Sequence, residues 1–135
     1  MASYTHAAFA NSLVGSWSNA MGTSWYWNTS TGNTSAPSGT VEFRETVVNT
    51  ASAPIWAHMH MLADDSVASV AVNGTTVCTN CANYNTVTDT SSFFLQPGTN
   101  VVAIRVTNGS GGAGFVAQVI DYAGVVRGAS NTWKY

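Results

Sequence analysis

The stretch from Leu62 to Thr75, LADDSVASVAVNGT, constrains the fold of this chain more than any other. It reads as a loop, a strand and a hairpin turn in immediate succession. Asp64 and Asp65 suit the loop, because short carboxylates hydrogen-bond nearby backbone N–H groups and favour turns. Val67, Ser69 and Ala71 then alternate with Ala68, Val70 and Val72, and successive side chains on a strand point to opposite faces. Asn73-Gly74 follows directly. Both residues tolerate the positive φ that a tight hairpin turn demands. The chain is expected to build a sandwich around this hairpin.

The flanking segments fit that expectation. Thr40–Val48 is predicted as a strand with Val41, Phe43, Glu45 and Val47 on one row. Ile55–Ala63 is the next, with Ile55, Ala57, Met59, Met61 and Ala63 on one face and Trp56, His58, His60 and Leu62 on the other. Ser24–Asn28 is a short aromatic strand, and Phe93–Leu95 an apolar run stopped by Gln96-Pro97-Gly98, whose Pro-Gly suits the centre of a type II turn. Val101–Thr107 is apolar at almost every position except Arg105, which predicts a central strand covered on both faces. Asn108–Gly114 is expected to be a hairpin loop leading to a partner strand, Phe115–Tyr122. Cys78–Ser92 reads as a long polar connection, and Asn131–Tyr135 as a closing edge.

Only 7% of the 135 residues are charged, against about 25% in ordinary soluble domains. Thr, Ser, Asn, Gly, Ala and Val stand where Lys and Glu would be, which disfavours helices and suits short strands joined by turns. The length predicts one domain, and the composition predicts an all-β one. Residues 1–23 lack a clean period and read as an N-terminal arm or edge strand, with 24–135 forming the sandwich. A net charge of −2 without a basic patch argues against nucleic-acid binding, and no apolar run approaches a membrane span. The N-terminus carries no basic n-region or continuous apolar segment of a secretory signal.

Phe43-Arg44-Glu45-Thr46, Ala63-Asp64-Asp65-Ser66, Val72-Asn73-Gly74, Leu95-Gln96-Pro97-Gly98-Thr99-Asn100-Val101-Val102-Ala103, Asn108 and Ala113-Gly114-Phe115 occur in that order. Together they resemble the galactose-binding-domain-like β-sandwich, a jelly roll of antiparallel strands found beside glycoside hydrolase domains and in phage tail and surface proteins. The resemblance covers roughly residues 24–122. It implies a non-catalytic module, with sugar held in some members by loop aromatics and polar groups, and with structural calcium near loop carboxylates in others. The fold alone does not fix the function.

Each candidate site has a competing structural explanation. Trp25, Trp27 and Trp56 are the candidate ligand-binding rings, because sugar C–H faces stack on aromatic planes; burial in the core is the alternative. Asp64 and Asp65 are the candidate calcium ligands, with Asn73 or Asp89 as further oxygens; turn formation is the alternative. His58 and His60 share a strand face and could chelate a transition ion with a third ligand, or simply face solvent. Cys78 and Cys81 form one CxxC, read either as a local disulfide or as two buried thiols. Arg44 and Arg105 are expected to pair with Glu42, Glu45 or Asp121. Tyr4, Phe9 and Trp17 are the candidate assembly contacts. No catalytic residue set is expected, and no cofactor beyond calcium.

Two functions fit these features. The first is a structural or adhesive virion component, such as a phage decoration, fibre or tail-associated protein, assembled in the host cytoplasm and displayed on the virion surface. It rests on the isolated module, the low charge and the lack of a signal, and its partners would be other virion proteins or copies of itself. The alternative is a carbohydrate-binding module acting outside the cell on surface glycan.

Overall fold

The computed structural model describes residues 8–9, 26–27, 37–83, 87–90, 92–128 and 133–135. Among these residues there is no helix, and so none long and apolar enough to cross a membrane. The strands are β1 (Ala8–Phe9), β2 (Tyr26–Trp27), β3 (Gly39–Asn49), β4 (Ile55–Asp64), β5 (Ser66–Val72), β6 (Thr75–Ala82), β7 (Thr88–Asp89), β8 (Phe93–Leu95), β9 (Gly98–Asn108), β10 (Gly114–Asp121) and β11 (Val126–Gly128). One sheet has the order β3-β9-β5-β6. The other runs β1-β2-β10-β4-β7, with β11 also on β10 and β8 also on β4. The ladders are antiparallel, as the all-β sandwich expectation requires.

Alternation decides which rows meet between the sheets. β4 buries Ala57, Met59, Met61 and Ala63, and its neighbour β10 buries Phe115, Ala117 and Val119. They meet Phe43 and Val47 of β3, Val70 and Val72 of β5, and Val102, Ile104 and Val106 of β9 in one core cluster. Phe43 sits among rings from several segments. Its centroid lies 4.3 Å from Phe115, 5.5 Å from Trp27 and 6.1 Å from Tyr135. Trp133 is fully buried edge-on to Phe115 and donates its indole N–H to the Ala117 carbonyl at 3.3 Å. The next residue, Lys134, exchanges both backbone hydrogen bonds with Arg44 on β3. The C-terminal segment thus closes the edge of the four-stranded sheet, as its sequence suggests.

Four local expectations need correction. First, β5 does not alternate strictly. Its register shifts between Val67 and Ser69 against both neighbours, so Val67 faces inward together with Val70 and Val72. A bulge of this kind sets two residues against one and reverses the phase of the strand. Second, Cys78–Ala82 continues β6 instead of beginning a loop. Asn80, at φ 50°, lies in the shifted stretch, and a disulfide joins Cys78 to Cys81 across it. Third, β9 is covered on one face only: Val101 and Arg105 are exposed, while Val102, Ile104 and Val106 are buried. Fourth, β9 and β10 are not hairpin partners. The glycine-rich segment between them crosses from one sheet to the other, and β10 pairs with β4. A run of turn formers looks the same in either role.

The hairpin turn is as read: Val72 pairs with Thr75, and Asn73 and Gly74 take φ 50° and 82°. It is locked to the Pro97-Gly98 turn through the buried Asn100. Asn100 Nδ2 donates to the Gln96, Gly98 and Val47 carbonyls at 2.9, 3.1 and 3.3 Å. Its Oδ1 accepts from Gln96 N–H and from Asn73 Nδ2, each at 2.9 Å. Asn73 Oδ1 accepts in turn from Val101 N–H at 2.8 Å. Removing one amide would leave several buried groups without partners. Asn100→Ala is expected to cost about 2–4 kcal/mol, read as a lower urea midpoint with an unchanged slope; a loss below about 0.5 kcal/mol, the range of ordinary surface changes, would show that the network contributes little.

Candidate functional site

Because Ala57, Met59 and Met61 face the core, the residues between them face outward. Trp56, His58 and His60 therefore form a row on the outer face of the seven-stranded sheet, about 13 Å from end to end at strand spacing. Short flanking strands add to this row. β8 sets Phe94 directly opposite Trp56, and β7 sets Asp89 directly opposite His60. The turn after β10 brings Tyr122 alongside, its ring 5.3 Å from His58.

The aromatic end of this row is open to solvent. Trp56 is 49%, Phe94 42% and Tyr122 64% exposed. Trp56 and Phe94 stack at 3.7 Å with a 29° tilt. Trp56, Tyr122 and Ser92 line a shallow depression of about 230 Å³, and the Ser92 and Tyr122 hydroxyls hydrogen-bond to each other. Apolar planes beside paired hydroxyls suit a ligand with both C–H faces and O–H groups, since the faces of aromatic rings carry partial negative charge that attracts polarised C–H groups. At the other end, Asp89 contacts His60 Nδ1, and the rings of His58 and His60 stand perpendicular at 5.0 Å. A ligating nitrogen from each histidine and an Asp89 oxygen all lie within 4.8 Å of one another.

Asp121 braces the turn that carries Tyr122. Its carboxylate accepts from the N–H groups of Ala123 and Val125 at 2.9 and 3.0 Å, and from Arg127 Nε at 2.8 Å. The Val125 hydrogen bond, with those from Arg127 and Ala123 and the Arg127 charge, outweighs burial and holds its pKa below the usual 3.8. Arg127, rather than Arg44 or Arg105, is thus the partner of Asp121, while Arg44 pairs with Glu42 at 3.2 Å.

The other sequence candidates fall elsewhere. Trp27 is 2% exposed and packs on Phe43, so it is a core residue and offers no open face to a ligand. Trp25, Tyr4 and Trp17 lie outside the described residues, and Phe9 lies in β1. Asp64 ends β4, and Asp65 is the single residue before β5, where the chain changes sheets through a cis Asp64–Asp65 peptide. The Asp65 carboxylate accepts from Gly109 N–H, and Ser38 Oγ donates to the Gly109 carbonyl at 2.6 Å. Asn73 and Asp89 do not join Asp64 and Asp65. Asn73 lies at the far end of β5, about 23 Å away at strand spacing, and Asp89 is held at His60. A broader depression of about 540 Å³ on the four-stranded sheet is lined, among the described residues, by Glu42, Arg44, Ala71, Asn73, Gly74, Val101 and Ala103, none of them aromatic.

No protein-family model matches the chain, and no curated protein matches it. Solved structures do. The apo lectin of Pleurotus ostreatus is similar at 29% identity over 83% of this chain and 32% of the lectin chain, with a TM-score of 0.57. The Pleurotus ostreatus lectin in complex with GalNAc matches at 19% identity over 98% of this chain and 35% of its own, with a TM-score of 0.61. Streptomyces avermitilis α-L-rhamnosidase, complexed with L-rhamnose, matches at 23% identity over 98% of this chain and 14% of its own, with a TM-score of 0.55. The chain spans about a third of the lectin chains it matches. These likenesses show a shared fold with parts of the lectin and rhamnosidase chains. None of these three structures is a virion protein, so the phage context expected from the sequence has no counterpart among them.

Because the Asp121 pKa is lowered on folding, its contribution to stability is complete above the unfolded value and is lost as pH falls through the folded one. Asp121→Asn is therefore expected to lower the melting temperature by several degrees at pH 6, with the gap to wild type closing below pH 3.8. A gap that stayed constant down to pH 2 would show that charge on Asp121 contributes nothing.

Proposed function

We propose that this protein is a non-enzymatic carbohydrate-binding module, and that glycan binds on the outer face of the seven-stranded sheet. The observation that carries this reading is the exposed Trp56–Phe94 stack beside Tyr122 and Ser92. Exposed large rings of this kind cost solvation unless something covers them, and rigid aromatic anchors dominate the energetics of most recognition surfaces. A pyranose would lay a C–H face on Trp56 or Tyr122 and exchange hydroxyl hydrogen bonds with Ser92. The lectin and rhamnosidase neighbours, whose structures hold GalNAc and L-rhamnose, support a sugar ligand for this fold.

The test is a glycan panel that includes N-acetylgalactosamine and L-rhamnose, run with calcium and with EDTA. Specific binding is expected. Trp56→Ala should weaken it at least about tenfold, which is 1.4 kcal/mol, while the chain stays folded at the assay temperature, because half of that ring lies outside the core. Binding that survived Trp56→Ala, or a blank panel under both conditions, would overturn the proposal. Loss of binding in EDTA that calcium alone restores would move recognition to Asp64 and Asp65, the calcium ligands expected from the sequence, about 26 Å along β4 from Trp56, and would overturn the proposed location.

A further inference from the structure

The histidine end of the same row has chemistry that sugar binding does not use. His58 and His60 are two residues apart on β4, so the pleat fixes both rings on one side of the sheet. Asp89 is brought to them by the register of a two-residue strand, His60 opposite Asp89. One nitrogen of each ring and one carboxylate oxygen converge within 4.8 Å. His58 Nδ1 is buried and has no hydrogen-bond partner among the described residues, so no protein contact there fixes which of its nitrogens carries the proton.

Two imidazoles and one carboxylate suit a borderline divalent ion. Zinc bonds to such ligands at about 2.0–2.2 Å, which places tetrahedral ligands about 3.4 Å apart; modest rotation of the side chains closes the present cluster to that span. Calcium and magnesium want six or more oxygens, and this cluster offers one carboxylate. We propose that His58, His60 and Asp89 form a zinc-binding site on the outer face of the seven-stranded sheet. Three protein ligands leave a coordination position for water or another donor. Asp89 is exposed to solvent, and the Tyr122 ring lies 5.3 Å from that of His58. The site stands on its own residues and does not depend on glycan binding.

The experiment titrates the EDTA-stripped, dialysed chain of residues 1–135 with Zn2+ alone by calorimetry, with Ca2+ as the parallel titrant. One Zn2+ per chain is expected, and no heat from Ca2+ at the same site. His60→Ala and Asp89→Asn should each weaken zinc binding by about tenfold or more, and Co2+ should give a visible absorption band that both variants lose. Asp89→Asn changes an exposed side chain without altering its size, so it decides the matter if His60→Ala does not fold. The proposal is overturned by absence of zinc uptake, or by uptake of equal strength in Asp89→Asn and in the His58→Ala/His60→Ala double variant.

Discussion

The outer surface of this protein is dictated by what β4 must hide. Ala57, Met59, Met61 and Ala63 fill the space against Phe43, Ile104 and the β5 valines, and the alternate side chains of the strand point to the opposite face of the sheet. Trp56, His58 and His60 are therefore outward-facing as a consequence of core packing. A one-residue slip of β4 would turn two histidines and a tryptophan towards the core and the four apolar residues of the buried row away from it. The core thus holds the outer row in register, and the strands that border it, β7 and β8 on one edge and β10 on the other, build the candidate site by pairing with β4.

Much of the architecture was legible because it is written in local chemistry. Asn73-Gly74 and Pro97-Gly98 announce their turns by the φ they permit, and the alternation in β3 and β4 announces their faces. What was not legible depends on partners distant in sequence. The β5 bulge arises where β5 meets β6 and β9, so its phase reversal leaves no mark in the residues themselves. β6 runs on through Cys78–Ala82 because it pairs with β5, though its polar sequence resembles a loop. The segment Asn108–Gly114 has turn residues whether it joins neighbours in one sheet or crosses between two.

The candidate site was half legible for the same reason. The spacing of Trp56, His58 and His60 gives their shared face, and the missing third ligand is visible only once β7 is paired with β4. Nothing in the sequence separates Trp27, sealed against Phe43, from Trp56, open on the surface. Phe94 and Tyr122 carried no sequence signal either: one lies in a run that reads as plain core, the other at the end of a buried strand. Asp64 and Asp65 illustrate the opposite case. Asp64 ends β4 instead of lying in a loop, and the Asp65 carboxylate accepts from Gly109 N–H, a partner distant in sequence, at the point where the chain changes sheets.

The central claim is that recognition occurs on the sheet face and not at the loop end beside Asp65. Chemical-shift mapping of isotope-labelled protein, titrated with a sugar selected from the panel, tests this directly. The perturbations are expected to cluster at the Trp56 indole N–H and at the backbone amides of Ser92, Phe94 and Tyr122. Perturbations confined to Asp65, Asn108 and Gly109, or to the groove around Arg44 and Asn73, would contradict that claim.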